Sequence, residues 1–127
     1  MKKIYLDDIR TPVDSSWIVV RSYDEFVDKV KEIGFENIEL VSLDHDLGDG
    51  AMDEYHNNVA PNYKLDYENI KEKTGYDCAK WLCEYWQEMN LKFEHKQPFP
   101  EYIVHSFNPI GKQNIISYIE NFKKHVL

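Results

Sequence analysis

The stretch LVSLDHDLGDG, Leu40–Gly50, decides the reading of this chain. Apolar residues around a single serine run straight into Asp44, His45 and Asp46, and then into glycines. An apolar run without alternation is the pattern of a parallel strand covered on both faces. Groups that are costly to desolvate follow it at once. The strand therefore ends either in a solvated turn or in a ligand site at the edge of a sheet.

Three further runs carry the same signature: Lys3–Leu6, Trp17–Val20 and Tyr102–His105. Between them lie three amphipathic patterns with helical spacing. Phe26, Val27, Val30 and Ile33 form the first stripe, opened by the capping pair Ser22 and Glu25 and closed by Gly34. Ala79, Leu82, Cys83, Trp86 and Met89 form the second, opened by Thr74 and Asp77. Ile115, Ile116, Ile119 and Phe122 form the third, with Asn108 suited to the N-cap and Pro109 to the first helical position. Strands alternating with helices predict an α/β fold with a mostly parallel sheet. The ten residues from Asp7 to Ser16 are short for a parallel crossover and contain Pro12, so a stub turn or a single broken helical turn is expected there. The acidic segment 49–73 is too long for an ordinary connector and reads as a loop insertion, either a lid or an idle one. Its Tyr55 and Tyr63 are candidates for stacking on a base.

A length of 127 residues suits one domain. A hydrophobic content of 43% argues for a packed core. A net charge of −8 disfavours duplex DNA, whose phosphates are neutralised by Lys and Arg. No apolar run approaches membrane-spanning length, and MKKIYLDD lacks the apolar stretch of a signal peptide. Cys78 and Cys83 fall inside a helical pattern and read as small core residues. A reducing, cytoplasmic setting is expected.

In an open parallel sheet, ligands bind outside the carboxyl ends of the strands. Asp7, Asp8 and Arg10 follow the first strand; Arg21 and Ser22 follow the second. Asp44, His45 and Asp46 follow the third; His105, Ser106 and Asn108 end the fourth. One rim thus collects carboxylates, arginines and histidines. Asp7, Asp8, Asp44 and Asp46 would repel one another unless a cation joins them, and their hard oxygens suit Mg²⁺ or Mn²⁺. Alternation puts Asp44 and Asp46 on one side and His45 on the other. Only Arg10 and Arg21 are arginine among 15 basic residues, and a planar guanidinium suits phosphate oxygens. His105 and His45 are candidate acid–base groups or metal ligands. Ser106 and Asn108, ahead of a helix start that favours anions, are candidates for orienting substrate.

Five motifs in order, LDDIRTP, WIVVRS, SLDHDLG, TGYDCAxWL and VHSFNPIGxxNI, resemble the cyclic-phosphate-processing receiver-like family, which is related to response-regulator receiver domains. The resemblance spans nearly the whole chain. It implies a short receiver-like, flavodoxin-like parallel sheet of about four strands in the order 2-1-3-4, flanked by helices, in a single domain over 1–127. It also implies processing of cyclic phosphates on small nucleotides or RNA ends. The pair Asp7–Asp8 with Asp44 resembles the acidic pocket of receivers, and Ser106 falls where they carry Thr or Ser. The fifth strand, its helix and the Lys that receivers place near the phosphoryl group are absent, and His45 and His105 have no receiver counterpart. These departures favour hydrolysis over a phospho-acceptor switch.

The leading expectation is a metal-dependent phosphoesterase. Asp7, Asp8, Asp44 and Asp46 supply metal ligands, Arg10 and Arg21 hold phosphoryl oxygens, and His105, His45, Asp44 and Ser106 serve the chemistry. The alternatives are a module that binds a cyclic nucleotide without cleaving it, and a receiver phosphorylated on Asp44. The sequence fixes no oligomeric state.

Overall fold

The computed structural model describes residues 1–47, 73–92 and 97–126. Four parallel strands, β1 (Lys2–Leu6), β2 (Trp17–Val20), β3 (Ile38–Leu43) and β4 (Glu101–Val104), form one sheet in the order β2-β1-β3-β4. Three helices, α1 (Tyr23–Ile33), α2 (Gly75–Lys92) and α3 (Pro109–Val126), accompany it, making a receiver-like α/β fold. The register sets Tyr5 against Val19 and Ser42, and Leu6 against Val20 and Leu43, so the carboxyl ends of the strands lie level. A short 3₁₀ turn, Phe35–Asn37, joins α1 to β3 and had no periodic signal in the sequence.

Ile4, Leu6, Val20, Val41 and Leu43 share one buried cluster with Phe26 and Val30 of α1, Cys78 and Leu82 of α2, and Ile115 and Ile119 of α3. Alternation places these strand residues on one face of the sheet. On the other face, Tyr5, Trp17, Val19 and Leu40 are only half-buried. Among the described residues, then, the helices pack one face, although the unbroken apolar runs suggested cover on both.

The reason lies in the first connection. Residues 7–16 carry no helix. Ten residues reach roughly 33 Å when extended, enough to return to the start of β2 without one.

The helix ends follow the capping signals. Ser22 Oγ accepts from the Glu25 N–H at 3.2 Å, while the Glu25 carboxylate accepts from the Arg21 N–H at 3.3 Å. Gly34 ends α1 at φ 82, where its missing Cβ avoids strain, and its N–H reaches the Val30 carbonyl. Thr74 Oγ1 accepts from the Tyr76 N–H, and the Asp77 carboxylate accepts from the Thr74 N–H at 2.8 Å. Asn108 Oδ1 accepts from the Gly111 N–H at 2.9 Å and caps α3.

Both cysteines are buried on α2. Burial pushes the Cys83 thiol up to about 12 and Cys78 further, so both remain thiols in the core. No described helix is long and apolar enough to cross a membrane. Most of the 49–73 insertion, Tyr55 and Tyr63 lie outside the described residues.

Candidate metal and phosphate site

The chain leaves β1 through Asp7, which is 1% exposed. Its Oδ1 accepts from the backbone N–H groups of Ile9 at 2.9 Å and Arg10 at 2.8 Å, an aspartate turn made in place of a helix. Its Oδ2 accepts from Arg10 Nε at 2.7 Å. Burial raises the carboxyl's pKa, but these two backbone donors and the guanidinium outweigh it and hold Asp7 below its ordinary value.

Arg21 closes the same turn from outside. Its Nη1 donates to the Asp7 carbonyl at 3.1 Å and to the Arg10 carbonyl at 2.6 Å, and its Nη2 donates to Thr11 Oγ1 at 2.7 Å. A helix would have satisfied such carbonyls internally; here the arginine fork does so. Arg21, expected at the phosphate, thus has both terminal nitrogens engaged within the loop.

β3 hands over to Asp44, whose N–H continues the ladder to the Leu6 carbonyl. Asp44 is 6% exposed. It accepts one backbone N–H, from His45 at 2.9 Å, and its ion pair with Arg10 is long, at 3.7 Å. Burial, and next the Asp7 charge, push its carboxyl up to about 7.

His45 turns away from Asp44 and is fully buried. Two glycines make the room. A Cβ on Gly111 would stand 2.4 Å from His45 Cγ, and one on Gly75 would stand 1.7 Å from the Asp44 carbonyl oxygen. The starts of α2 and α3 therefore press directly on this turn, and the Gly75 N–H donates to the His45 carbonyl at 2.8 Å. His45 Nδ1 lies 2.7 Å from Asp46 Oδ1, which also accepts from Asn108 Nδ2 at 3.1 Å. His45 and Asn108 thus brace Asp46 from beneath. Ser106 Oγ accepts from the Asn108 N–H at 3.1 Å, so it too shapes the loop.

His105 extends β4, its N–H bonded to the Leu43 carbonyl. Its ring stacks on Tyr5 at 4.4 Å between centroids and 11° between planes. Nδ1 lies 2.7 Å from Ser42 Oγ and Nε2 lies 3.2 Å from Asp7 Oδ2. In the neutral ring these contacts pair a Ser42 hydroxyl donor with an Nε2–H directed at Asp7. Burial lowers the His105 pKa, and Asp7 opposes it only in part. The imidazole is therefore biased toward its neutral form.

Asp7, Asp44 and His105 each offer one ligand atom, and these atoms lie within 4.8 Å of one another. Beside them a cavity of ≈ 280 Å³ is lined by Asp7, Asp8, Asp44 and Asp46 with Ile9, Arg10 and Phe107. Asp8 also borders a second cavity of ≈ 370 Å³ beside Arg21, Tyr23 and Lys73. The fit to a metal ion is chemical. Two buried carboxylates and a neutral imidazole form a donor set that could hold a divalent ion, and the Arg10 guanidinium, 3.7 Å from Asp44, does not offset that carboxylate's burial and its repulsion by Asp7.

The structure brings Asp7, Asp44, His105 and Arg10 together, lines the same cavity with Asp8 and Asp46, and places His45, Arg21 and Asn108 behind it. Ser42, Tyr5 and Phe107 escaped the sequence reading. The first two were accessible in principle, because Tyr5 and Ser42 are register partners on the face that His105 joins. No curated protein and no solved structure matches the chain. The sequence profile described as the cyclic-phosphate processing receiver domain matches residues 2–121. The chain belongs to the cyclic-phosphate processing receiver domain family.

Proposed function

We propose that the protein is a metal-dependent phosphoesterase acting on a cyclic phosphate of a small nucleotide or an RNA end. The observation that carries this reading is the meeting of Asp7, Asp44 and His105 within 4.8 Å beside Arg10. Asp7 and Asp44 with His105 would hold Mg²⁺ or Mn²⁺. Such an ion supplies Lewis-acid polarisation of a phosphoryl group and an acidified water. Arg10 offers its guanidinium to the nonbridging oxygens, the geometry for which arginine is suited. Asp46 spends Oδ1 on His45 and Asn108, which leaves Oδ2 for the cavity and for the proton of an attacking water. His45 and Asn108 then act as positioning residues, and Arg21 keeps Asp7 and Arg10 in place.

A second reading, capture of the cyclic phosphate without cleavage, is favoured by one observation. His105 is engaged at both ring nitrogens and biased to the neutral form, and His45 is fully buried. Neither imidazole stands ready to protonate a departing alkoxide.

Incubation with 2′,3′- and 3′,5′-cyclic nucleotides under Mg²⁺ or Mn²⁺, followed by phosphorus NMR, separates the two. Hydrolysis yields a phosphomonoester resonance that disappears in Asp44→Asn. Recovery of every nucleotide intact by folded, metal-loaded protein would overturn the hydrolytic reading.

A further inference from the structure

Phe107 is 80% exposed and Ile9 is 73% exposed, yet both line the cavity that holds Asp7 and Asp44. Single exposed apolar side chains are ordinary on a protein surface. Two of them lining one charged cavity call for an occupant with an apolar part. Nor is Phe107 outward because its loop is loose. His105 on one side is held by Ser42 and Asp7. Asn108 on the other is fully buried, caps α3 and binds Asp46. The loop is fixed at both ends and presents the ring to solvent. Arg10, whose guanidinium carbon lies 4.6 Å from the ring centroid, occupies part of the ring's surroundings and leaves the rest open.

We infer that Phe107 and Ile9 form a stacking platform for a planar nucleobase, so that the ligand is a nucleotide or a nucleotide end and not a bare phosphate ester. The inference rests on the cyclic-phosphate reading of the cavity and deepens it. A cyclic nucleotide joins an anionic ring phosphate to a flat, apolar-faced base, and the cavity joins a metal-ligating, arginine-bearing floor to an apolar rim. Arg10 links the two, touching Asp7 at 2.7 Å through Nε while lying over Phe107. Every base has a π-face, so the platform confers a preference for bases over no base and little choice among them.

The test is calorimetric titration of the Mn²⁺-loaded protein with 2′,3′-cyclic AMP, with ethylene cyclic phosphate, which carries the ring phosphate without a base, and with adenosine. Wild-type protein binds cyclic AMP at least about tenfold more tightly than ethylene cyclic phosphate. Phe107→Ala erases most of that preference and leaves Mn²⁺ and ethylene cyclic phosphate affinities unchanged; Phe107→Trp retains it. Equal affinity for the two cyclic phosphates in wild-type protein overturns the platform. So does a preference that survives Phe107→Ala, or an equal loss for both probes, which would reduce Phe107 to a brace for Arg10. Preferential binding without turnover overturns hydrolysis and leaves the platform standing. Turnover of both cyclic phosphates with equal KM does the reverse. If neither cyclic phosphate binds, Phe107-dependent binding of adenosine still upholds the platform, and its absence overturns it.

Discussion

Asp7 and Asp44 end neighbouring strands of one sheet and are nearly buried, at 1% and 6% exposure, but their surroundings treat negative charge in opposite ways. Asp7 is an anion already provided for: two backbone N–H groups and Arg10 hold its pKa down. Asp44 has one backbone donor and a distant guanidinium, and its carboxyl is pushed up to about 7. The two turns are also secured differently. The Asp7 turn is tied by side chains close in sequence, with Arg21 as its clasp. The Asp44 turn is wedged by two helix starts that approach through glycine. The contrast teaches that the first carboxylate has its charge matched within the fold and the second is left short of positive charge.

The wedge is the most fragile part. Gly75→Ala sets a Cβ against backbone at 1.7 Å, and backbone yields less readily than a side chain. We expect a loss of about 3 kcal/mol or more in urea unfolding, the upper range for overpacking. A loss under 1 kcal/mol would show that the Asp44 turn is not wedged.

Removing the Asp7 counterion has the next largest effect. Arg10→Ala leaves a buried carboxylate with its backbone donors and the neutral His105 ring, and no cation beside it. Loss of a partner from a buried pair costs 3–5 kcal/mol, but Arg10 is 37% exposed, so about 2 kcal/mol is expected at pH 7. The folded pKa of Asp7 is lowered, so its contribution is present above the unfolded value and fades as pH falls through the folded one. The Arg10→Ala penalty should therefore shrink by pH 3, a trend that thermal unfolding across pH will reveal.

Asp44 reverses the sign. Its folded pKa is raised from 3.8 to about 7, so its contribution is complete below pH 3.8 and is lost as pH rises through 7. Asp44→Asn should stabilise the metal-free protein at pH 8 by more than about 1 kcal/mol, since each unit by which the pKa is raised is worth roughly 1.4 kcal/mol, and do little at pH 4. A destabilisation at pH 8 would contradict the picture of a carboxylate short of positive charge.

The smallest effect belongs to the clasp. Arg21→Lys keeps the charge but loses the fork that reaches the Asp7 and Arg10 carbonyls together with Thr11. A cost of about 1 kcal/mol is expected, with phosphate affinity unchanged if Arg21 acts only on the loop.

Much of this was legible in the sequence because parallel strands impose it. Once Lys3–Leu6, Leu40–Leu43 and Tyr102–His105 are taken as parallel neighbours, Asp7, Asp44 and His105 must arrive at one rim. The fate of His45 was not legible. It depends on Gly111, 66 positions later, arriving without a Cβ. Arg21 shows the converse difficulty: arginine suits both phosphate and backbone carbonyls, and the choice was made by a missing helix whose absence left carbonyls to satisfy. Phe107 sits within VHSFNP, and its exposure follows from Asn108 being buried next to it. Composition carries no trace of that.

The central claim is that Asp44 is poised to join Asp7 and His105 around a divalent ion. Titration with Mn²⁺ at pH 6 and pH 8, with free ion followed by electron paramagnetic resonance, tests it most directly. The account predicts one bound ion, held more tightly at pH 8 because the Asp44 proton must leave, and lost in Asp44→Asn with circular dichroism unchanged. Failure of the wild-type protein to bind Mn²⁺ at pH 8, or undiminished binding by Asp44→Asn, would contradict it.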